Sequence, residues 1–300
     1  GLVDATNVGL NAGRNIVDGN GAALNIDAAN ASLRAGGLIG NSDLASVDPG
    51  SNINAIDTAV DILAAFANNG IYILEADAIV IDTVGAIATG DVSRVNFRSD
   101  TTLVAGPSVA ESSDLRSGGP IKLVTTDGSI RVNDGLPANG LGVESTGAGN
   151  ILLEARGVGR DLIVNAGIRS QDLLLNGGHI TLWAANNVTT NAVVETFGTG
   201  TIYARAVAGN LTTNDRVQSV NGNILLRAGT DVNLNSPVSN QANVGVIAGR
   251  DINQSGNVTV TNNIVFDAVR DIRLGLVDAT NVGLNAGRNI VDGNCLLYTS

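Results

Sequence analysis

A parallel β-helix, an all-β solenoid with coils of about 18–23 residues and a few loop insertions, is the fold this sequence predicts. Three observations carry that expectation. The stretch Gly222–Leu234, GNILLRAGTDVNL, alternates apolar and other residues with period two on both sides of a tight corner, so it reads as two short strands. The pattern then recurs. An Ile column runs through Ile151, Ile180, Ile202, Ile224, Val244, Ile264 and Val282, and a Leu column through Leu153, Leu182, Ala204, Leu226, Val246, Phe266 and Leu284. An Ala column (Ala155, Ala184, Ala206, Ala228, Ala248, Ala268, Ala286) advances by 29, 22, 22, 20, 20 and 18 residues. Composition is the third observation: 44% hydrophobic with 38 Gly but only 3% aromatic. A globular core draws much of its buried area from aromatics, whereas stacked coils fill a narrow interior with aliphatic ladders.

Taken in order, Ala22 to Gly40 opens with Leu24 and Ile26, then Ala31, Leu33 and Ala35 in alternation. Asn41 to Asn52 is a polar loop in which Asp48-Pro49-Gly50 marks a turn, since Pro fixes φ and Gly accepts φ > 0. Ile53 to Ala67 admits two readings. Ile53, Ile56, Val60, Leu63 and Ala67 would form a helical stripe; Ile56, Thr58, Val60, Ile62, Ala64 and Phe66 alternate strictly, with Asp57, Ala59 and Asp61 opposite. The flanking strands favour a strand. Gly70 to Ile81 reads as two strands across a corner at Glu75-Ala76-Asp77, and Val92 to Ala105 as a continuation through Val95, Phe97, Leu103 and Ala105. Gly106 to Gly119 reads as a protruding loop, Gly119 to Val132 as the motif resumed, and Asp134 to Gly149 as a second irregular insertion around Pro137. From Asn150 to Asn294 the coils run almost without interruption. Dividing 294 residues by a coil of about 22 gives roughly 13 coils, a rod on the order of 60 Å long. Stacking is preferred to a sandwich because register repeats, whereas Asn-Gly and Asp-Gly hairpin signals are sporadic. Corner residues Asn187, Asn210, Asp231, Asp251, Asp271 and Asn289 tolerate left-handed backbone and bond their own main chain.

Residues 1–294 are expected to form a single continuous solenoid. The terminal hexapeptide Cys295–Ser300, CLLYTS, abandons the repeat grammar, holds the chain's one cysteine, and resembles a translated sequencing adapter. Residues 275–294 repeat residues 1–20 letter for letter. A duplicated long super-repeat and a read-assembly artefact both account for this. Starting in mid-pattern, the sequence reads as a fragment of a longer protein. Seventeen Lys+Arg against 28 Asp+Glu give a net charge of −11, which disfavours nucleic acid and anionic membranes as partners. The chain has no apolar run of the roughly 18 residues that a span needs, so no membrane insertion is expected of this segment.

Runs such as AGRDI (248–252), GNILLRAGTDVNL (222–234) and AGRNIVDGNGAALNI (12–26) resemble the repeats of filamentous-haemagglutinin-type exoproteins, large bacterial adhesins. The segment IDTAVDILA followed by GIYILEADA is similar to the interruptions of such proteins. The resemblance spans essentially residues 1–294 and implies a structural or adhesive repeat segment at an outer bacterial surface or in the extracellular medium. Its secretion domain or anchor would lie outside this sequence.

Chemistry candidates are few. His179 stands alone, without a Ser or Cys nucleophile motif, and reads as a surface residue. Glu75 and Asp77, two apart on one strand, would lie about 6.6 Å apart, near an inverting-glycosidase separation, but no cation lies near them. Asp57 and Asp61 would be too far apart. No cofactor or metal motif is present. The remaining candidate is a surface contact: Trp183, Arg205 and Arg227 fall in one outward column, and Thr181, Tyr203 and Leu225 in the next. Trp183, Tyr203, Arg205 and Arg227 would form a stripe able to stack on sugar rings or hold an acidic partner. The expectation is therefore a non-enzymatic, cofactor-free stalk or binding surface, with glycans or a neighbouring cell surface as partner. A β-helical polysaccharide lyase or hydrolase and a passive spacer are the alternatives.

Overall fold

Residues 1–41 and 54–292 are described by the computed structural model. The Asp48-Pro49-Gly50 turn and the Cys295–Ser300 tail lie outside them. The fold is all β: 31 strands form one sheet wound round a single axis, and every pairing within it is parallel. No helix occurs among the described residues. A typical coil has three short strands. Ile224–Ala228 lies on face A, Val232–Leu234 on face B and Val238–Asn240 on face C, and Val244–Ala248 then begins the next coil.

Register is like on like. Ile224 pairs with Ile202 behind and Val244 ahead, Leu226 with Ala204 and Val246, Ala228 with Ala206 and Ala248. The same columns continue back to Ile151, Leu153 and Ala155 and forward to Val282, Leu284 and Ala286. Ile224, Leu226 and Ala228 are buried while Leu225 and Arg227 are exposed, which is the period-two signature of a strand with one dry face. The core is one continuous column of Val, Ile, Leu and Ala from Val8 to Ile272, with Phe266 as its largest member. Each coil is too thin to bury its inner face alone; two neighbours complete it.

Ile56–Ala67 is a strand, not a helix. Its alternation is not strict, however. Ile56, Thr58 and Val60 face inward, then Leu63, Ala65 and Ala67 do, and Ile62 and Phe66 are only half-buried. The chain rounds a corner between Val60 and Leu63, and rounding it shifts the inward phase by one residue. Asp57, on the other side of the strand from Thr58, is 7% exposed, with its N–H donating to Asn25 Oδ1 at 2.8 Å.

Two insertions differ from expectation. Val92–Val95 and Thr101–Val104 do not continue the solenoid: they form an antiparallel hairpin. Ile87–Ala88 pairs antiparallel with Ser108–Val109, and Val84 bridges Ser112. Residues 84–112 therefore leave the solenoid as one arm, and the chain rejoins it at Leu115–Ser117. The arm's base folds over the first coils, where Ser112 and Ser32 hydroxyls meet at 2.6 Å. The second insertion is shorter than expected, because Leu141–Ser145 is already a solenoid strand. A further loop interrupts the later coils at Asp172–Asn176, with Leu173 and Leu174 exposed. Eleven strands stack on face C among the described residues, from Asn7–Ala12 to Val277–Asp278, short of the 13 coils that length alone suggests because the arm draws residues out.

Candidate functional site

Face A strands are five residues long, with positions two and four outward. Stacking them turns sequence columns into surface columns. Thr181, Tyr203 and Leu225 occupy the first, and Trp183, Arg205 and Arg227 the second. Trp183, Tyr203 and Arg205 are half-buried against their neighbours, and Arg227 is exposed. Tyr203 and Arg205 share one strand, Trp183 sits one rung before Arg205, and Arg227 one rung after. Rungs are spaced about 4.8 Å apart, so the stripe has the spacing to touch consecutive groups of an extended ligand.

Several arginines elsewhere on this rod are matched to carboxylates of a neighbouring coil. Arg169 reaches Glu144 at 2.7 Å, Arg216 reaches Glu195 at 2.9 Å, and Arg250 and Arg270 pair with Asp231 and Asp251. Arg205 and Arg227 form no ion pair among the described residues, although they stack on adjacent rungs. The nearest acids in their column are Glu154, bound to Arg156 at 2.7 Å, and Asp267, two rungs beyond Arg227. An open groove of about 260 Å³ runs beside the pair, lined by Arg205, Arg227, Ile247, Asp267 and Val269. The site is thus two unmatched guanidinium groups next to an indole and a phenol.

The carboxylate pair does not assemble. Glu75 is the last residue of its strand and is fully buried, whereas Asp77 lies on the following bend and is exposed. The regular strand on which their shared face depends ends at Glu75. Inside the core, Glu75 accepts the Thr58 hydroxyl at 2.7 Å on one oxygen and the Val60 and Ala76 N–H groups, each at 3.1 Å, on the other. Burial pushes its carboxyl up to about 8, against the pull of these hydrogen bonds. Asp57 is raised to about 6, by burial and by the charge of Asp18. His179 is exposed at the edge of face A, and its Nδ1 accepts the Thr201 N–H at 3.2 Å.

Corner chemistry is richer than its sequence signal. The corner Asn and Asp residues do not take left-handed backbone, and they bond the next coil rather than their own. Asn187 Oδ1 accepts the Asn210 N–H at 2.8 Å, Asn210 that of Asp231, Asp231 that of Asp251, and Asp251 that of Asp271. A second ladder of amide side chains runs Asn133–Asn165–Asn191–Asn214–Asn235, each Nδ2 donating to the preceding Oδ1 at 2.8–3.0 Å. A third feature lies inside. Ser145, Ser170, Thr196 and Ser219 stack in the core at the C-to-A corner, and each donates to a glycine carbonyl. A Ser or Thr a few residues ahead of each Gly-x-Ile was the available sign.

Among the described residues no group of three or more His, Cys, Asp or Glu side chains is placed to hold a metal ion. No helix of the described residues is long and apolar enough to cross a membrane. No family model, curated protein or solved structure matches this chain.

Proposed function

We propose that this chain is a structural and adhesive repeat segment of a large bacterial cell-surface or secreted protein of filamentous-haemagglutinin type. It acts as an extended stalk that presents the Trp183–Tyr203–Arg205–Arg227 stripe to acidic glycans on a neighbouring surface. The observation that supports this reading is the unmatched pair Arg205 and Arg227. The chain is acidic overall, and Arg169, Arg216, Arg250 and Arg270 on the later coils sit on carboxylates whereas this stacked pair does not. Two stacked cations without a counter-charge repel each other unless an anion lies across them. A polyuronate strand supplies both a carboxylate for the arginines and a ring face for Trp183. A carbohydrate-active enzyme is less well supported, because the best carboxylate pair is split between core and solvent. No nucleic-acid partner is proposed for so acidic a chain.

The test is a binding titration of the full chain against acidic and neutral polysaccharides. Acidic chains should bind, and Trp183→Ala and Arg205→Ala/Arg227→Ala should each weaken binding at unchanged thermal stability. Absence of binding by the unmodified chain would leave the spacer reading in its place.

A further inference from the structure

Asn-Gly pairs occur in this chain at Asn20, Asn69, Asn139, Asn176 and Asn221. Such a pair carries its own electrophile, the side-chain carbonyl carbon, and its own nucleophile, the main-chain nitrogen of a residue without a side chain to hinder it. Ring closure between them asks three things of the surroundings. A base must reach the glycine N–H, a donor must reach the amide oxygen where charge develops, and the amide nitrogen must be free to leave.

Asn139-Gly140 meets all three, on the exposed stretch that leads into Leu141–Ser145. The Gly140 N–H donates to Asp134 Oδ2 at 2.9 Å, within reach for proton transfer, and the Asn139 N–H donates to Oδ1 of the same carboxylate at 3.1 Å. The Leu141 N–H donates to Asn139 Oδ1 at 2.8 Å, the distance of an oxyanion donor. That bond closes a ring that includes the Gly140 nitrogen, so it holds the Asn139 amide on the nitrogen's side. Gly140 has φ +79°, a left-handed backbone that glycine adopts without steric cost, and its carbonyl accepts the Gly167 N–H of the next coil at 2.7 Å. Asn139 Nδ2 makes no hydrogen bond among the described residues.

The other four pairs each lack a part. Asn20-Gly21 has a similar carboxylate, with Asp18 accepting both N–H groups at 2.9 and 3.1 Å, but Asn20 Nδ2 is held on the Leu24 carbonyl at 3.0 Å. Asn176 Nδ2 is held on Asp172 at 3.0 Å. Gly70 is buried as the first residue of a solenoid strand, and the Gly222 N–H lies on the buried Ser219 hydroxyl.

We propose that Asn139-Gly140 is a self-modifying site, at which the folded chain deamidates its own Asn139. Asp134 takes the Gly140 proton, and the Gly140 nitrogen forms a bond to Asn139 Cγ. The Cγ–Nδ2 bond then breaks, and Nδ2 leaves as ammonia with that proton, which leaves a cyclic imide. Water opens the imide at either carbonyl: at Cγ it gives aspartate, and at the main-chain carbonyl it gives isoaspartate. Either product has exchanged ammonia for water, a gain of one dalton, and sets a new carboxylate beside Asp134. This inference does not depend on what the outward stripe binds.

The test is peptide mapping by mass spectrometry of the full chain, sampled over weeks in neutral buffer, with aspartate and isoaspartate products separated by chromatography. In the folded chain Asn139 should deamidate at least about tenfold faster than Asn20, Asn69, Asn176 or Asn221. In denaturant, where only the local Asn-Gly chemistry sets the rate, the five should converge. Asp134→Ala should slow Asn139 several-fold and leave the other four unchanged, at a melting midpoint that shows the variant folded. The comparison of folded with denatured chain needs no variant and decides alone if Asp134→Ala does not fold. A folded chain in which Asn139 is no faster than the other four would overturn the proposal. So would a folded Asp134→Ala chain that deamidates at Asn139 as fast as the unmodified one, or faster, because loop freedom and not the carboxylate would then set the rate.

Discussion

Thr58 donates its hydroxyl to Glu75 at 2.7 Å inside the dry interior of the solenoid, where the carboxyl has no cation to balance it. Burial raises the carboxyl from its ordinary 4.5 to about 8, and the nearby Asp77 charge adds to the rise. In the unfolded chain Glu75 ionises near its ordinary value. Between those two values the folded protein therefore holds a proton that the unfolded chain releases. Its contribution falls as pH rises from about 4.5 to about 8 and is level above that. Asp57, raised to about 6, acts in the same direction over a lower window. The expected outcome is a melting midpoint that falls between pH 5 and pH 8, with a shallower fall in Glu75→Gln. The glutamine oxygen can still accept the Val60 and Ala76 N–H groups while its amide donates to Thr58. Parallel pH profiles for the two proteins would mean that Glu75 is ionised in the fold.

Leu226 and Arg227 are neighbours in sequence and opposite in environment, one fully buried and one exposed. Leu226→Asp would bury a charge between Ala204 and Val246 with no partner, at a cost of several kcal/mol. Arg227→Asp should cost little, since Arg227 forms no ion pair to lose. Denaturant titration of both variants checks this, and equal destabilisation would place the strand one residue out of register.

Ser219 holds the C-to-A corner from within. Its hydroxyl donates to the Gly200 carbonyl at 2.6 Å and accepts the Gly222 N–H at 3.0 Å. Ser219→Ala strands two buried backbone groups, a loss of about 2–3 kcal/mol. Ser219→Thr should be nearly neutral, because Thr196 fills the same column one coil earlier. A Thr variant as damaged as the Ala variant would show that volume, not the hydroxyl, matters at this corner.

Ala204 stands where Leu182 and Leu226 stand on either side. Beside it is a small closed void lined by Thr190, Val194, Leu211, Thr213 and Val217, with the Thr190 and Thr213 hydroxyls lacking a protein partner. Ala204→Val should fill part of that space and raise stability by about 1 kcal/mol. A fall in the unfolding midpoint would mean that the cavity is already closed too tightly for two more methyl groups.

The parts of this fold that the sequence makes legible are those where like stacks on like. The Ile, Leu and Ala columns needed only counting, and the Trp183–Arg205–Arg227 stripe followed because outward positions inherit the inward register. Corners are where the reading fails. Alternation does not show that the inward phase slips between Val60 and Leu63, or that the strand ends at Glu75, which leaves Glu75 in the core and Asp77 on the bend beyond it. Val95, Phe97, Leu103 and Ala105 invite reading Val92–Val95 as a coil strand too. Its antiparallel partner Thr101–Val104 is set by a local turn, which period-two arguments do not detect. The corner Asp and Asn residues were legible as corners, yet their bonds to the next coil depend on stacking, a relation between residues about 20 apart.

The last expectation concerns chemistry at the stripe. A lyase or hydrolase acting on an acidic polysaccharide needs a carboxylate or other base poised at the bound sugar ring. Along the column around Trp183, Arg205 and Arg227 the carboxylates are Glu154, engaged with Arg156, and Asp267, which accepts the Asn285 amide at 2.8 Å. Both are already hydrogen-bonded, and they lie five rungs apart, on the order of 24 Å at about 4.8 Å per rung, too far to share one glycosidic bond. Incubation of the full chain with pectins, alginates and other polyuronates should therefore give binding without new reducing ends or unsaturated products. Binding should also weaken as salt rises toward 1 M, where the screening length shrinks to about 3 Å. Product release abolished by Glu154→Gln or Asp267→Asn would promote the enzyme reading. Salt-insensitive binding would shift the weight from the two arginines to Trp183.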